Sequence, residues 1–470
     1  MARPAYDAEM NTTGPAPKGL RLIPFRGLRY VPERVGSLAA VTSPPYDVVV
    51  RPDGLHHLES ADPHNIVRLI LPQAATPADR HRQAASTLRR WLAEGVLAPD
   101  PEPALYVYEQ RRGDLLQRGV IGALALSTPA EGVVLPHEDV MPDIVEDRAA
   151  LMRATATNLE PLLLTYRGQD GSADSPADTT AARTGTTAVV ERTALREPLL
   201  STTTEDGFCH RLWSVTDPAE LAEIESDLAD RQALIADGHH RWATYLRLRE
   251  EHPASAAGPW AYGLVLLVDT ARHPLQVRAI HRLLHRMPVA DALAALEAVP
   301  GSFRVRTVEG TLPEAVEALS DAANAGTEAG EGAGCGAGAG AGFPANNAFL
   351  LAGDGRFHLI DRPDAALLAR TVPTDRPAEW RALDATVLHS TLLDHIWKIP
   401  DTPEHISYIH DTEAAVEQAE RHGSTAVLLH PVREEVVREL ARQAVTMPRK
   451  STSFGPKPAT GLVLRSLADG

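Results

Sequence analysis

Cysteine is nearly absent from this 470-residue chain, which holds only Cys209 and Cys335, the second inside a Gly/Ala tract. That excludes a disulfide framework and a cysteine-based zinc site, and it points to a reducing compartment. Long apolar runs are missing as well. No segment approaches the ~20 uninterrupted apolar residues of a membrane span, and the opening MARPAYDAEMNTTGPAPKGL has no apolar stretch of signal-peptide length. The expectation is a cytoplasmic protein with no membrane partner. Positive charge is outweighed: 46 Lys and Arg stand against 62 Asp and Glu, a net charge of −16. Such a chain lacks the basic face that a phosphate backbone requires, so a nucleic-acid partner is excluded while a local anion pocket is not. Two nucleotide signatures are absent too. No G-x-x-x-x-G-K-[ST] occurs, and the glycines from Gly332 to Gly342 sit at even spacing, whereas G-x-G-x-x-G also needs an odd offset.

What is present is globular: 44% apolar and 23% charged residues are enough for a substantial core. Residues 1–18 read as a disordered leader. An N-terminal α/β segment follows over 19–120, with strands expected at GLRLIPFRGLRYV, NIVRLILP and ALYVYEQRR and a helix at PADRHRQAASTLRRWLAEGV. Residues 121–290 alternate strand and helix and form the expected catalytic core, broken by a polar loop at 168–187. Residues 291–470 complete a C-terminal α/β segment. It carries a low-complexity insert at 321–347, unable to bury a core, and a closing basic loop at 447–458. The fold class is therefore mixed α/β.

The sharpest feature is LIADGHHRWATYLRLR, Leu234 to Arg249. A short apolar run suited to a buried strand meets Asp237-Gly238, and a helix with apolar residues at Trp242, Tyr245 and Leu246 begins there. Glycine at that turn lets the backbone approach a ligand, and the first-turn N–H groups favour an anion. His239, His240 and Arg241 add side-chain donors, the arginine being able to grip phosphate with two nitrogens. Asp237, at the strand end, is placed to bind Mg2+ or to orient a histidine. Helix capping alone would explain Asp237 but not the His-His-Arg that follows. Zinc is disfavoured, since adjacent histidines cannot easily face one ion from a regular helix and HEDVM is not H-E-x-x-H.

Two further stretches carry chemistry. In VVLPHEDV, Glu138 leaves an apolar strand into a loop as a candidate general base, with His137 or Asp139 to orient it. MPRKSTSFGPK places Arg449, Lys450, Ser451, Thr452 and Lys457 in a loop framed by Pro and Gly, followed by the apolar GLVLRSL, which argues for an ordered anion-binding loop. Tyr46 and Asp47 in SPPYDVV, and Asn65 and Arg68 in HNIVRL, are weaker pocket candidates.

Taken in order, PPYDVV, HNIVRL, LPHEDV, ADGHHRWAT and PRKSTSFGPK resemble the bacterial family catalogued as domain of unknown function 1015 over about residues 18–466. PHE, ADGHHRWA and the late KST also look like the free-serine kinases of the ParB/sulfiredoxin-like superfamily. That resemblance implies a ParB/sulfiredoxin-like nucleotide-binding core with flanking α/β segments. It also implies a phosphotransferase that moves a phosphoryl group from ATP or ADP, with Mg2+, to the hydroxyl of a small amino acid, free L-serine first. In that pattern the Gly238–Arg241 turn holds nucleotide phosphates, Glu138 deprotonates the acceptor, Asp237 assists it or the metal, His240 touches the transferred phosphate, and the Lys450 loop closes on substrate. The alternative is a ParB-like nucleotide switch without kinase activity. A sulfiredoxin-like repair enzyme would want a cysteine where this chain has His239.

Overall fold

The computed structural model describes residues 19–49, 53–168, 184–253, 258–325 and 346–468. The leader, most of the polar loop and most of the low-complexity insert lie outside the described residues. Within them the chain is mixed α/β, built on two large sheets and two small ones.

The first large sheet has nine strands. Its main path runs Val134–Leu135, Ala233–Asp237, Leu162–Tyr166, Tyr262–Asp269, Leu115–Ala125, Leu105–Arg112, Cys209–Val215 and Leu200–Thr203, with Leu22–Ile23 paired onto Leu115–Ala125. Pairing is antiparallel except where Ala233–Asp237 meets Val134–Leu135 and Tyr262–Asp269 meets Leu162–Tyr166. Its central strand YGLVLLVD reads as a continuous apolar run because both faces are covered: Val265 and Leu267 enter one core, Leu264, Leu266 and Val268 the other.

The second large sheet is antiparallel throughout, in the order Arg304–Val308, Phe357–Asp361, Phe349–Ala352, Thr425–Leu429, His281–Leu284, Ile406–Ile409. Here too alternate residues serve two cores, Phe349 and Leu351 facing one and Leu350 and Ala352 the other. The two-stranded ribbon pairs Gln276–Ala279, which follows the last strand of the first sheet, with Thr452–Gly455, which follows the last strand of the second. A four-stranded sheet ties Gly27–Tyr30 to Leu97–Pro99 and to the C-terminal strand Leu464–Ser466.

Most expected elements form where pattern placed them. One does not. NIVRLILP, expected as a strand, is the helix Val67–Ile70, in which Val67, Leu69 and Ile70 are all fully buried. Asn65 turns the chain: its Oδ1 accepts from Val67 N at 2.9 Å while its Nδ2 donates to the Ala40 carbonyl at 2.8 Å. A short apolar run with both sides buried has no period by which strand and helix can be told apart. The segment boundary expected at residue 120 falls inside Leu115–Ala125, whose hairpin partner Leu105–Arg112 precedes it, and that expected at 290 falls inside the helix Val289–Glu297.

Candidate functional site

Strand Ala233–Asp237 runs directly into helix His239–Glu251 through Gly238, as the motif requires. Gly238 has φ +101°, and a Cβ there would stand 2.9 Å from Leu162 Cγ and 3.2 Å from Arg241 Nε. Both the left-handed backbone and the lack of room demand glycine. Trp242, Tyr245, Leu246 and Leu248 hold the helix against the nine-stranded sheet, so its first turn is fixed in place.

That turn opens on a cleft of about 1720 Å³ whose lining includes Tyr46, Asp47, Asn65, Glu138, Asp139, Asp237, Gly238, His239, His240, Arg241, Arg449, Lys450, Thr452 and Lys457. Five segments far apart in sequence therefore converge, and nearly every residue singled out above is among them. Three are not. Arg68 faces a separate recess with Gln83 and Arg90, and its Nη2 donates to the Glu59 carbonyl at 2.6 Å. His137 lies beneath the wall, 1% exposed, with its ring edge-on to His239 at 4.4 Å and Nε2 3.2 Å from Thr452 Oγ1. Ser451 turns inward and donates to the Pro448 carbonyl at 2.5 Å.

The floor of the cleft is a charge cluster. Lys457 Nζ sits 2.5 Å from Asp47 Oδ2 and 2.6 Å from Asp237 Oδ1, and Arg241 Nη2 donates to Asp237 Oδ2 at 2.6 Å. Against the upward push of burial, Lys457 and Arg241 hold the Asp47 carboxyl below the usual range. Arg241 is 5% exposed. Its Nη1 donates to the Pro161 carbonyl at 2.9 Å, and its guanidinium carbon lies 5.9 Å from the Tyr46 ring centre. The two-pronged phosphate grip expected of Arg241 is thus occupied by Asp237 and Pro161. Asp237 as a metal ligand meets a similar difficulty: both carboxylate oxygens already face cations at 2.6 Å, and among the described residues no group of three or more His, Cys, Asp or Glu is placed to hold a metal. As arranged, this carboxylate does not fit Mg2+.

Glu138 stands on the wall above. Burial pushes its carboxyl up from 4.5 to about 7; Lys450 and Lys457 oppose the rise while Asp237 and Asp47 add to it. Its nearest partner is His239, whose Nδ1 lies 3.9 Å from Oε2, too far for a hydrogen bond. His239 Nε2 accepts from His137 N at 3.3 Å, and burial, reinforced by His137, His240 and Lys457, drives its pKa well below the usual value. The ring is therefore neutral with its proton on Nδ1, aimed toward Glu138. His240 Nε2 accepts from Met141 N at 3.1 Å, and burial together with Lys450 holds it neutral as well.

The closing loop is pinned from both large sheets. Gln110 and Gln117 of the first donate to the Pro456 carbonyl at 3.1 and 3.2 Å, and Arg282 of the second donates to the Lys450 carbonyl at 3.0 Å. Lys450 has φ +55°, and among the described residues no carboxylate pairs with its ammonium. Sequence reading missed Arg282, and it missed Glu160, which accepts from Tyr46 N at 3.0 Å and Thr460 Oγ1 at 3.3 Å and so seats the Tyr46 turn. The signal for Glu160 was a lone acid at the edge of the apolar run LEPLLLTY. Tyr408 and His410, which reach the cleft from the second sheet, left no comparable mark.

A family model described as protein of unknown function (DUF1015) matches residues 22–386, so the chain belongs to that family. No curated protein matches the sequence. Among solved structures, a conserved hypothetical protein from Pyrococcus furiosus is similar over 72% of this chain and 93% of its own, with 16% identity and a TM-score of 0.32. A free serine kinase in complex with AMP is similar over 72% and 89%, with 14% identity and a TM-score of 0.32. SbnI with a C-terminal truncation, from Staphylococcus aureus, is similar over 74% and 88%, with 10% identity and a TM-score of 0.32. Among the described residues no helix is long and apolar enough to cross a membrane.

Proposed function

We propose that this member of the DUF1015 family is a nucleotide-dependent phosphotransferase that moves a phosphoryl group from ATP or ADP to the hydroxyl of a small amino acid, free L-serine first. One observation carries the reading: Glu138, whose carboxyl burial pushes up to about 7, shares a cleft with the first turn of the helix that begins after Gly238. A base for an alcohol works best when its pKa lies near the operating pH, and phosphoryl transfer otherwise asks mainly for positioning and charge. We assign the strand–Gly238–helix region to a ParB/sulfiredoxin-like core on the strength of the motif.

In this reading the backbone N–H groups after Gly238 receive the nucleotide phosphates. Lys450, with no carboxylate of its own, faces the charge that builds on the transferred group. Glu138 takes the proton of the acceptor hydroxyl, whose oxygen bonds to the terminal phosphorus as the bond to the bridging oxygen breaks, releasing ADP from ATP or AMP from ADP. His239 faces the Glu138 carboxylate with Nδ1 at 3.9 Å, close enough to border the base without hydrogen-bonding it. Asp47, Asp237, Lys457 and Arg241 form the rigid floor. Mg2+ enters as the counter-ion of the nucleotide, and no protein step depends on it.

Phosphorus NMR tests this directly, with protein, Mg2+, L-serine and either ATP or ADP. A phosphomonoester signal that disappears in Glu138→Gln is expected, and the tube in which it grows identifies the donor. Nucleotide binding with no monoester from serine or other hydroxyl amino acids would sink the kinase reading and leave the nucleotide switch.

A further inference from the structure

Arg282 belongs to strand His281–Leu284 of the second large sheet, yet its side chain leaves that sheet for the cleft loop. It is fully buried. Nη1 donates to the carbonyls of Ile280 and, at 3.0 Å, of Lys450, and Nη2 donates to the Arg449 carbonyl at 3.4 Å. Nη2 also lies 3.2 Å from His389 Nε2, and the guanidinium carbon is 4.7 Å from the Tyr408 ring centre. The one acid nearby, Asp401, accepts from Tyr408 Oη at 2.6 Å and stands 3.8 Å from His389 Nδ1, so it reaches Arg282 only through those two rings.

A buried cation with no directly paired carboxylate is costly. Burial lowers the Arg282 pKa to about 10, and burial with Arg282 beside it lowers His389 to about 4, so at neutral pH the arginine stays charged against a neutral imidazole acceptor. The cost would not arise with methionine in this place. What methionine could not do is hold two successive loop carbonyls, one of them on Lys450, whose left-handed φ of +55° a non-glycine residue adopts only when its surroundings impose it.

We infer that Arg282 is a positioning residue that clamps the Arg449 and Lys450 carbonyls, fixes the Lys450 ammonium in the cleft, and so couples the second sheet to the candidate site. The inference takes its meaning from the phosphotransferase reading, but its test needs no turnover. Lys450 is the strongest of the cations holding Glu138 down, Lys457 being the other; Asp237 and Asp47 push it up, and His239 faces it. Displacing Lys450 must therefore let the Glu138 midpoint rise.

The experiment is a carbon-13 NMR titration of the Glu138 carboxyl in the full chain, its signal identified by loss in Glu138→Gln. It compares wild type, Arg282→Lys, Arg282→Met, Lys450→Met and the Arg282→Met/Lys450→Met pair, alongside amide hydrogen exchange at residues 450–452. Arg282→Lys keeps the charge but cannot reach both carbonyls, so a raised midpoint there reports loop displacement rather than a lost charge. It also carries the test if Arg282→Met fails to fold. The expected result is a midpoint above wild type in Arg282→Lys, a rise in Arg282→Met matching that of Lys450→Met, no further rise in the pair, and faster exchange at 450–452. A folded Arg282→Lys with wild-type titration and wild-type exchange would overturn the inference and leave Arg282 a packing residue. If wild type transfers no phosphoryl group but the midpoints move as stated, the clamp stands and the kinase reading falls.

Discussion

Replacing Glu138 with glutamine separates the chemistry of the carboxylate from its place in the cleft. In the folded chain its pKa is raised from 4.5 to about 7, while an unfolded chain returns it to the ordinary value. The unfolded state therefore loses the proton first as pH rises. Below about pH 4.5 both states are protonated and the site carries no penalty. Between there and pH 7 the penalty grows, and above 7 it is constant. A displacement from 4.5 to about 7, at about 1.36 kcal/mol per pH unit, is worth about 3 kcal/mol. Because 26% of the side chain faces solvent, water screens part of this, and about 1–3 kcal/mol is the working magnitude.

Glutamine is isosteric with the neutral acid and escapes the penalty. With about 2.1 cal/mol/K of unfolding entropy per residue, a chain of this length has about 1 kcal/mol/K, so Glu138→Gln should melt about 1–3 °C above wild type at pH 8 and level with it at pH 4.5. Scanning calorimetry across that range measures the offset. The same substitution removes the proposed base, so phosphoryl transfer should vanish while nucleotide affinity stays within about twofold. An offset that does not change between pH 4.5 and 8, or a wild type more stable at pH 8, would show that Glu138 is not held near 7. Equal loss of turnover and nucleotide binding would remove it as base.

Gly238→Ala puts a Cβ 2.9 Å from Leu162 Cγ at φ +101°; a loss of about 1–3 kcal/mol by thermal melt is expected, with weakened binding in a fluorescent-nucleotide titration. Lys457→Met removes the cation paired directly with Asp47 and leaves Arg241 as the remaining cation beside both Asp47 and Asp237. About 2 kcal/mol should be lost at pH 7, less than for a fully buried pair because Asp47 is 36% exposed. Since the Asp47 pKa is depressed in the folded chain, this contribution is present above its unfolded value and should fade in melts as pH falls below ~4. Replacing residues 326–345 by a short Gly/Ser linker should leave melting temperature unchanged and activity within about twofold, because loop length weighs little on stability. A folded but inactive variant would give the Gly/Ala insert a function.

Where local chemistry decided the structure, the sequence was legible. Asp237-Gly238, between a short apolar run and a helix-forming stretch, marked the strand-to-helix turn, and the short apolar runs in AFLLAG and TAVLLHP marked buried strands that the structure has. A short apolar run does not by itself tell strand from helix, and NIVRLILP is the case that falls the other way: Asn65 turns the chain into the helix Val67–Ile70. Arg241 was misread for another reason. Its type suits phosphate, but Asp237 at the end of the preceding strand takes its Nη2 across the Gly238 turn and the distant Pro161 carbonyl takes its Nη1, and these contacts turn the fork inward. Arg282 and His410 left no signal at all, since only tertiary pairing brings the second sheet to the cleft.

The same pairing explains why the cleft holds carboxylates of two kinds. Asp47 and Asp237 share Lys457, and Asp237 has Arg241 besides, all at 2.5–2.6 Å. Glu138 has a neutral imidazole at 3.9 Å and, among the described residues, no directly paired lysine or arginine. Burial therefore acts on Glu138 almost unopposed by hydrogen bonding, and the charged floor adds repulsion from Asp237. Environments that push neighbouring acids apart in pKa are how one site assigns a base and a fixed counter-charge. Lys457 acts in two directions: it pairs with Asp47 and Asp237 and so neutralises the floor, and it opposes the rise at Glu138, so a site without it would leave two incompletely neutralised carboxylates facing Glu138 and push that carboxyl further up.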